Sequence, residues 1–231
     1  MSAIGEGLAQ AFSLILRGDP ALLRIVWLSL WATGLATTIA MVLGVPLGVF
    51  LALHRFRGRN LFITFVNAGM GIPPVVVGLI VFLFLARSGP LGDLSLIYTP
   101  TAIIVAQVII AVPQVIGVTL AGIQGLDERM ALQIVSLGAS RAQLYLKLVR
   151  EARVAVLAAL AAGFGAVISE VGAVMMVGGN IEGQTRVMTT AIVLETRQGN
   201  FAMAIALSTV LLLIALVING VFTWLQQRRA R

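Results

Sequence analysis

The sequence predicts an all-α integral membrane protein with five transmembrane helices and a charged helix pair between the third and the fourth. Three observations carry that prediction. Of 231 residues, 59% are hydrophobic and 11% charged, and the mean hydropathy is +1.03. A water-soluble domain of this length needs far more polar cover. Five apolar runs reach the length of about 20 residues that a bilayer demands. Basic residues gather in three connections that alternate with those runs, as cytosolic loops do under the positive-inside rule. The net charge of +7 therefore reports membrane orientation rather than nucleic-acid binding.

Residues 1–20 have no cationic leader, so a cleaved signal peptide is not expected. Ile4, Leu8, Phe12 and Leu16 recur at i+4, which fits either a helix lying in the membrane interface or a frayed tail. Gly18-Asp19-Pro20 stops that segment. A single transmembrane domain then covers residues 21–225, and residues 226–231 form a basic tail.

The five runs are roughly Ile25–Leu53, Leu61–Ala86, Thr101–Ile123, Val154–Val177 and Phe201–Trp224. The connection His54–Arg59, the elbow Leu126–Arg153 and the tail Arg228–Arg231 hold 11 of the 16 basic residues. Five spans place all three on one side, with the N-terminus outside and the C-terminus in the cytosol. Trp27, Trp31 and Trp224 sit where aromatic belts belong. Pro46, Gly69, Gly71, Pro73, Pro74 and Pro113 interrupt the spans. The Pro73-Pro74 pair should kink the second span and free carbonyls, either as packing geometry or to shape a path or gate.

The elbow carries the clearest helix signals. Asp127 can cap a first helix through Leu137, in which Met130, Ile134 and Leu137 share helical spacing. Gly138 breaks it. Ser140 and Gln143 have the form of a capping box that starts a second helix. Ala142, Tyr145, Leu146 and Val149 give this helix an apolar face, and Arg141, Lys147 and Arg150 a cationic one. The pair is either a loop anchored by its charges or a docking element for a soluble partner.

Glu170 is the one carboxylate inside a predicted span, where an ionised group costs about 2.5–3.5 kcal/mol on insertion scales. It must face protein or water. A carboxylate has the wrong sign to hold an anion, and one alone makes a poor proton relay. A structural or gating role is favoured, through hydrogen bonds across helices or an arginine partner. Ser169, Gly165 and Gly172 beside it permit close helix approach. Residues 178–200 form a polar outer stretch, with backbone freedom at Gly178 and Gly179 and hydrogen-bonding groups at Asn180, Gln184, Thr185, Thr189 and Thr190. Arg186 adds a cation there. Val187–Leu194 is apolar but too short to span, which suggests a re-entrant or interfacial helix. The absence of cysteine and the single His54 exclude thiol chemistry and leave little for a metal site. No Gly-x-x-x-x-Gly-Lys-Ser/Thr occurs, so ATP hydrolysis is not expected of this chain.

Leu137-Gly138-Ala139-Ser140-Arg141, with Gln143 and Tyr145, resembles the EAA coupling loop of binding-protein-dependent ABC importer permeases. Leu132-Gln133-Ile134 replaces the Glu-Ala-Ala itself, and Glu151 stands where a proline is usual. Gly71-Ile72-Pro73-Pro74-Val75-Val76-Val77-Gly78 is similar to a segment of molybdate-type permeases. Glu170 through Ile181, with Thr185 through Ile192, most resembles the tungstate branch. The resemblance covers about residues 30–225. It implies a type I importer permease fold, a second copy of the chain, two ATPase subunits that carry ATP and Mg, and an extracytoplasmic oxyanion-binding protein, in a bacterial or archaeal cytoplasmic membrane. It implies ATPase coupling at Ser136, Leu137, Gly138, Ala139, Ser140, Arg141 and Tyr145. It implies a pore or gate at Pro73, Pro74, Ser169, Glu170, Gly178, Gly179, Asn180, Thr185 and Arg186. No cofactor or catalytic residue is expected on the chain. Tungstate is the expected solute. Molybdate or sulfate import, or an ATP-independent carrier built on Glu170, are the alternatives.

Overall fold

Asp19 fixes where the first long helix begins. Its Oδ1 accepts from the N–H groups of Ala21 and Leu22 at 2.9 and 3.0 Å, the cap that a short carboxylate favours. In the computed structural model, which describes residues 3–230, Asp19 separates α1 (Ala3–Arg17) from α2 (Pro20–Leu53). There follow α3 (Arg59–Gly71), α4 (Pro74–Leu85), a 3₁₀ turn (Gly92–Leu94), α5 (Pro100–Gln124), α6 (Glu128–Ser136), α7 (Arg141–Glu151), α8 (Arg153–Ile168), α9 (Gly172–Gly178), α10 (Met188–Arg197) and α11 (Phe201–Ala230). No strand occurs among the described residues. The side chains of Ile4, Arg228 and Arg229, and all of Arg231, lie outside them.

Among the described residues, three helices are long and apolar enough to cross a membrane: Pro20–Leu53, Pro100–Gln124 and Phe201–Gln227. Counting each sharply bent pair, α3 with α4 and α7 with α8, as one span gives up to five. Two of the predicted runs are not continuous helices. The run Leu61–Ala86 is broken at Ile72 and Pro73, whose ψ angles of 129° and 124° are extended; a residue before proline is pushed out of the helical region. The run Val154–Val177 is broken at Ser169-Glu170-Val171. Pro46 and Pro113, by contrast, lie inside unbroken α2 and α5. One missing N–H does not end a long apolar helix whose remaining bonds face no competition from water.

The first segment is a helix rather than a frayed tail. Leu8, Phe12 and Leu16 are exposed on it, while Ala11 is buried and Gly7 abuts Phe201 and Ile205.

The chain forms two compact units. One comprises Met1–Ala36, Pro73–Gln107 and Val167–Ile218. There α4 packs on α9 so closely that a Cβ on Gly78 would lie 2.5 Å from Ala173 Cα. Val77, Val81, Val174 and Val177 are buried in this unit, as are Ala102, Ile103 and Ala106 of α5. The other unit comprises Thr37–Ile72, Val108–Ala166 and Asn219–Arg231. Its core joins Val49, Ile123, Leu148 and Ala152, and a second cluster joins Leu51, Ile116 and Leu120. Within it, the end of α3 does not leave all its carbonyls orphaned: Gln114 Nε2 donates to the Met70 carbonyl at 3.1 Å.

Candidate functional site

The elbow is assembled from local signals that interlock. Asp127 Oδ1 accepts from Arg129 N–H at 2.9 Å and starts α6. At its end, Gly138 N–H donates to Val135 O at 2.9 Å and Ala139 N–H to Ile134 O at 3.3 Å, the two bonds of a Schellman motif. Gly138 has φ +81°, as that motif requires of its left-handed residue. One residue on, Ser140 N–H donates to Gln143 Oε1 and Gln143 N–H to Ser140 Oγ, at 2.8 and 3.3 Å. This capping box starts α7. Only Ala139 separates the stop of one helix from the start of the next, so the bend is held from both sides.

The face that α7 buries differs from the predicted one. Leu148 is buried, and Leu144, Tyr145 and Val149 pack with it, while Ala142 and Leu146 are exposed. The i, i+1, i+4, i+5 pattern of Leu144, Tyr145, Leu148 and Val149 points this face at Val49 and Ile123. Tyr145 thus belongs to the packed side. Its hydroxyl lies 3.3 Å from His54 Nε2, and the His54 ring stacks on Phe50 with centroids 4.5 Å apart. Ser136, Leu137, Gly138, Ser140 and Arg141 are all exposed, and Ala139 is half-buried. Leu137 is 88% exposed, and Leu132, Val135 and Leu146 join it as exposed apolar side chains. Arg129, Arg141, Lys147 and Arg150 of the same helix pair are exposed as well.

In the other unit, two helix breaks meet. Gly172, two residues after Glu170, abuts the side chain of Val75, one residue after Pro74. The Glu170 side chain bonds locally and pairs with no arginine among the described residues, while its backbone reaches another helix. Its Oε1 accepts from Ala173 N–H at 2.9 Å and so secures the start of α9. Its carbonyl accepts from Thr189 Oγ1 at 2.7 Å. Met188 N–H donates to Ser29 Oγ at 2.7 Å, which seats α10, the short helix expected in the outer stretch. Pro73 and Ser169 are exposed, Pro74 and Glu170 half-buried.

The polar outer residues divide by role. Thr185 is fully buried; it donates to Gly178 O and accepts from Ile181 N–H. Its hydroxyl therefore closes the loop and presents nothing to solvent. Gly178 is buried against Ile103, and Gly179, at φ +68°, against the Tyr98 ring. Asn180 donates to Thr190 O at 3.5 Å. Arg186 does face open space. It lines a cavity of about 430 Å³ with Arg24, Trp27, Gln184, Glu195 and Met203. Arg24 and Glu195 were not singled out from the sequence. Met188, Ala191 and Glu195 stand at i, i+3 and i+7, the spacing that puts all three on the buried face of α10.

Among known proteins, a tungstate uptake system permease protein of Peptoclostridium acidaminophilum is 40% identical over 98% of this chain and 100% of its own length. A probable anion ABC transporter permease protein of Haloferax volcanii is 39% identical over 86% of this chain and 88% of its own. In fold, the chain matches a solved bacterial ABC transporter involved in import of the acidic polysaccharide alginate, with a TM-score of 0.75 over 96% of this chain and 84% of that one, at 19% identity. The profile of the family described as binding-protein-dependent transport system inner membrane component matches residues 44–231. The protein is an all-α membrane permease with the type I ABC importer fold, and it belongs to the family of binding-protein-dependent transport system inner membrane components.

Proposed function

We propose that two copies of this chain form the membrane path of a tungstate importer, powered by two separate ATPase subunits and supplied by an extracytoplasmic oxyanion-binding protein. The observation that carries this reading is the elbow. A doubly capped bend displays Leu137, 88% exposed, on a helix pair that also exposes Arg129, Arg141, Lys147 and Arg150. A fully exposed leucine at a rigid bend is poorly matched to water and well matched to a cleft in a partner. One relative matched over its full length is a tungstate uptake permease and another a probable anion permease, which supports the substrate class.

In this mechanism each elbow seats residues 136–141 in a cleft of one ATPase subunit, and Tyr145 holds α7 to the spans through His54. ATP and Mg bind on the ATPase subunits, and this chain performs no catalysis. Closure of the ATPase pair moves the elbows and rocks the spans from inward-open to outward-open. The adjoining breaks at Pro73-Pro74 and Ser169-Glu170 serve as gate hinges, and Gly178, Gly179, Asn180, Thr185 and Arg186 shape the outer loop. Residues 21–225 are the permease domain, residues 1–20 an interfacial helix and residues 226–231 a tail. The chain sits in a bacterial or archaeal cytoplasmic membrane with its N-terminus outside and its C-terminus in the cytosol.

The natural chain has no cysteine, so Leu137→Cys and Gly183→Cys each give a unique thiol. Leu137→Cys is expected to crosslink to the ATPase subunit and to resist impermeant thiol reagents added outside, whereas Gly183→Cys reacts from outside. Crosslinking from position 183 instead would invert the proposed orientation and end the docking role of the elbow.

A further inference from the structure

The cycle above places no ligand in the cavity beside the outer loop that Arg24, Trp27, Gln184, Arg186, Glu195 and Met203 help to line. Its volume of about 430 Å³ falls within the range of small-molecule sites. Its charges are incompletely matched by the protein. Glu195 is 8% exposed, and its Oε2 accepts from Asn200 Nδ2 at 2.7 Å. No cation among the described residues comes within ion-pairing distance of it. A buried carboxylate without counter-charge is unfavourable. Arg186 presents the opposite need. Its side chain is 16% exposed, its Nε is shut from solvent with no acceptor, and its ion pair of 3.5 Å is to a Glu182 side chain that is 81% exposed. Pairs to such an exposed group are weak.

Glu182 also lines the cavity, so a simple anion entering here would meet Glu182 and Glu195, and a simple cation would meet Arg24 and Arg186. A ligand that carries both charges can address both signs. Ala21, Ile25, Leu28 and Met203 supply an apolar part of the wall, together with Trp27, which is 70% exposed; tryptophans of membrane proteins concentrate at the level of the lipid headgroups. We propose that this cavity binds the headgroup of phosphatidylethanolamine. Its ammonium donates to Glu195, and its phosphate accepts from the guanidinium groups of Arg24 and Arg186, both of which line the cavity, bonds strengthened by charge on both partners. Phosphatidylcholine has no ammonium proton to donate, and phosphatidylglycerol has no cation for Glu195. The assignment is independent of the solute carried.

The test uses the permease purified with its partner subunits in detergent and titrated with short-chain forms of the three lipids, with bound lipid read by native mass spectrometry. Phosphatidylethanolamine is expected to bind about tenfold more tightly than the other two. Glu195→Gln should erase that preference, and Arg186→Gln should weaken all three. Equal retention of the three by the unaltered protein overturns the proposal. So does a preference that survives Glu195→Gln, or displacement of the lipid by free phosphoethanolamine at the same concentration. Should Glu195→Gln fail to fold, Met203→Trp fills the cavity from its apolar side, and a preference that persists in that variant also overturns it.

Discussion

Gly138 offers a perturbation whose size follows from the backbone alone. Its φ of +81° is a left-handed conformation, and a Cβ built there meets no atom within 4 Å. Replacing it by alanine therefore introduces no clash, and the whole effect is the strain of an L-residue in that region, about 1–2 kcal/mol. The strain falls on the two Schellman bonds from Gly138 and Ala139 that fix the bend. Relief of that strain turns the exposed leucine away from its docking position. A difference of this size shifts the bent population by roughly 5- to 30-fold. Asparagine tolerates the left-handed region better than alanine because its side chain bonds locally. The series Gly138→Asn and Gly138→Ala should therefore weaken association with the ATPase in that order, read as affinity in a pull-down titration at fixed permease concentration. Gly138→Leu should be at least as severe as alanine, with the permease still folded but uncoupled from the ATPase. Alanine and asparagine variants that both match the unaltered protein, or asparagine worse than alanine, would refute the conformational argument.

Three further outcomes follow from other contacts. Leu137 is exposed on the free chain, and burying a leucine is worth about 1.5–3 kcal/mol, so Leu137→Ser should lower ATPase affinity roughly 10- to 150-fold. Thermal unfolding of the free permease should barely change. Glu170→Gln keeps an acceptor for Ala173 N–H and should retain uptake, whereas Glu170→Ala loses the cap and about 0.5–2 kcal/mol of stability. Loss of uptake in a well-folded Glu170→Gln variant would instead make the carboxylate proton part of transport. Thr185→Val strands the Gly178 carbonyl and the Ile181 N–H and should lower stability by about 1–3 kcal/mol. A valine variant as stable as the parent would show that the buried hydroxyl is not what closes the loop.

The elbow was legible because its signals are local. Asp127, Gly138, Ser140 and Gln143 act within three residues of where they stand, and each sits in the motif its type implies. The apolar runs were legible as membrane segments but not as particular helices. A run apolar on every side has no periodic pattern to mark where it stops, which is why the break at Ser169-Glu170-Val171 went unread. The polar pair Ser169-Glu170 followed by Gly172 is the available sign, and by itself it fits a continuous span equally well. Prolines misled in the other direction. Pro46 and Pro113 carry the same local chemistry as Pro74, yet only the last stands at a helix start; the difference is made by Ile72-Pro73 before it. Glu195 was missed because Thr196, Arg197 and Gln198 around it read as surface. Its burial is decided by the partners of α10, among them Ser29, which lies 159 residues from Met188, and no local signal carries that distance.

The central claim is that this chain moves tungstate only when ATP is hydrolysed on a partner. It is tested most directly by uptake into proteoliposomes containing the permease, its ATPase and its binding protein, with tungstate, molybdate and sulfate in competition. The account predicts ATP-dependent accumulation that tungstate dominates, and that Leu137→Ser abolishes without unfolding the permease. ATP-dependent uptake of another anion would keep the coupling elbow and discard the substrate. Accumulation indifferent to ATP would contradict the account at its root.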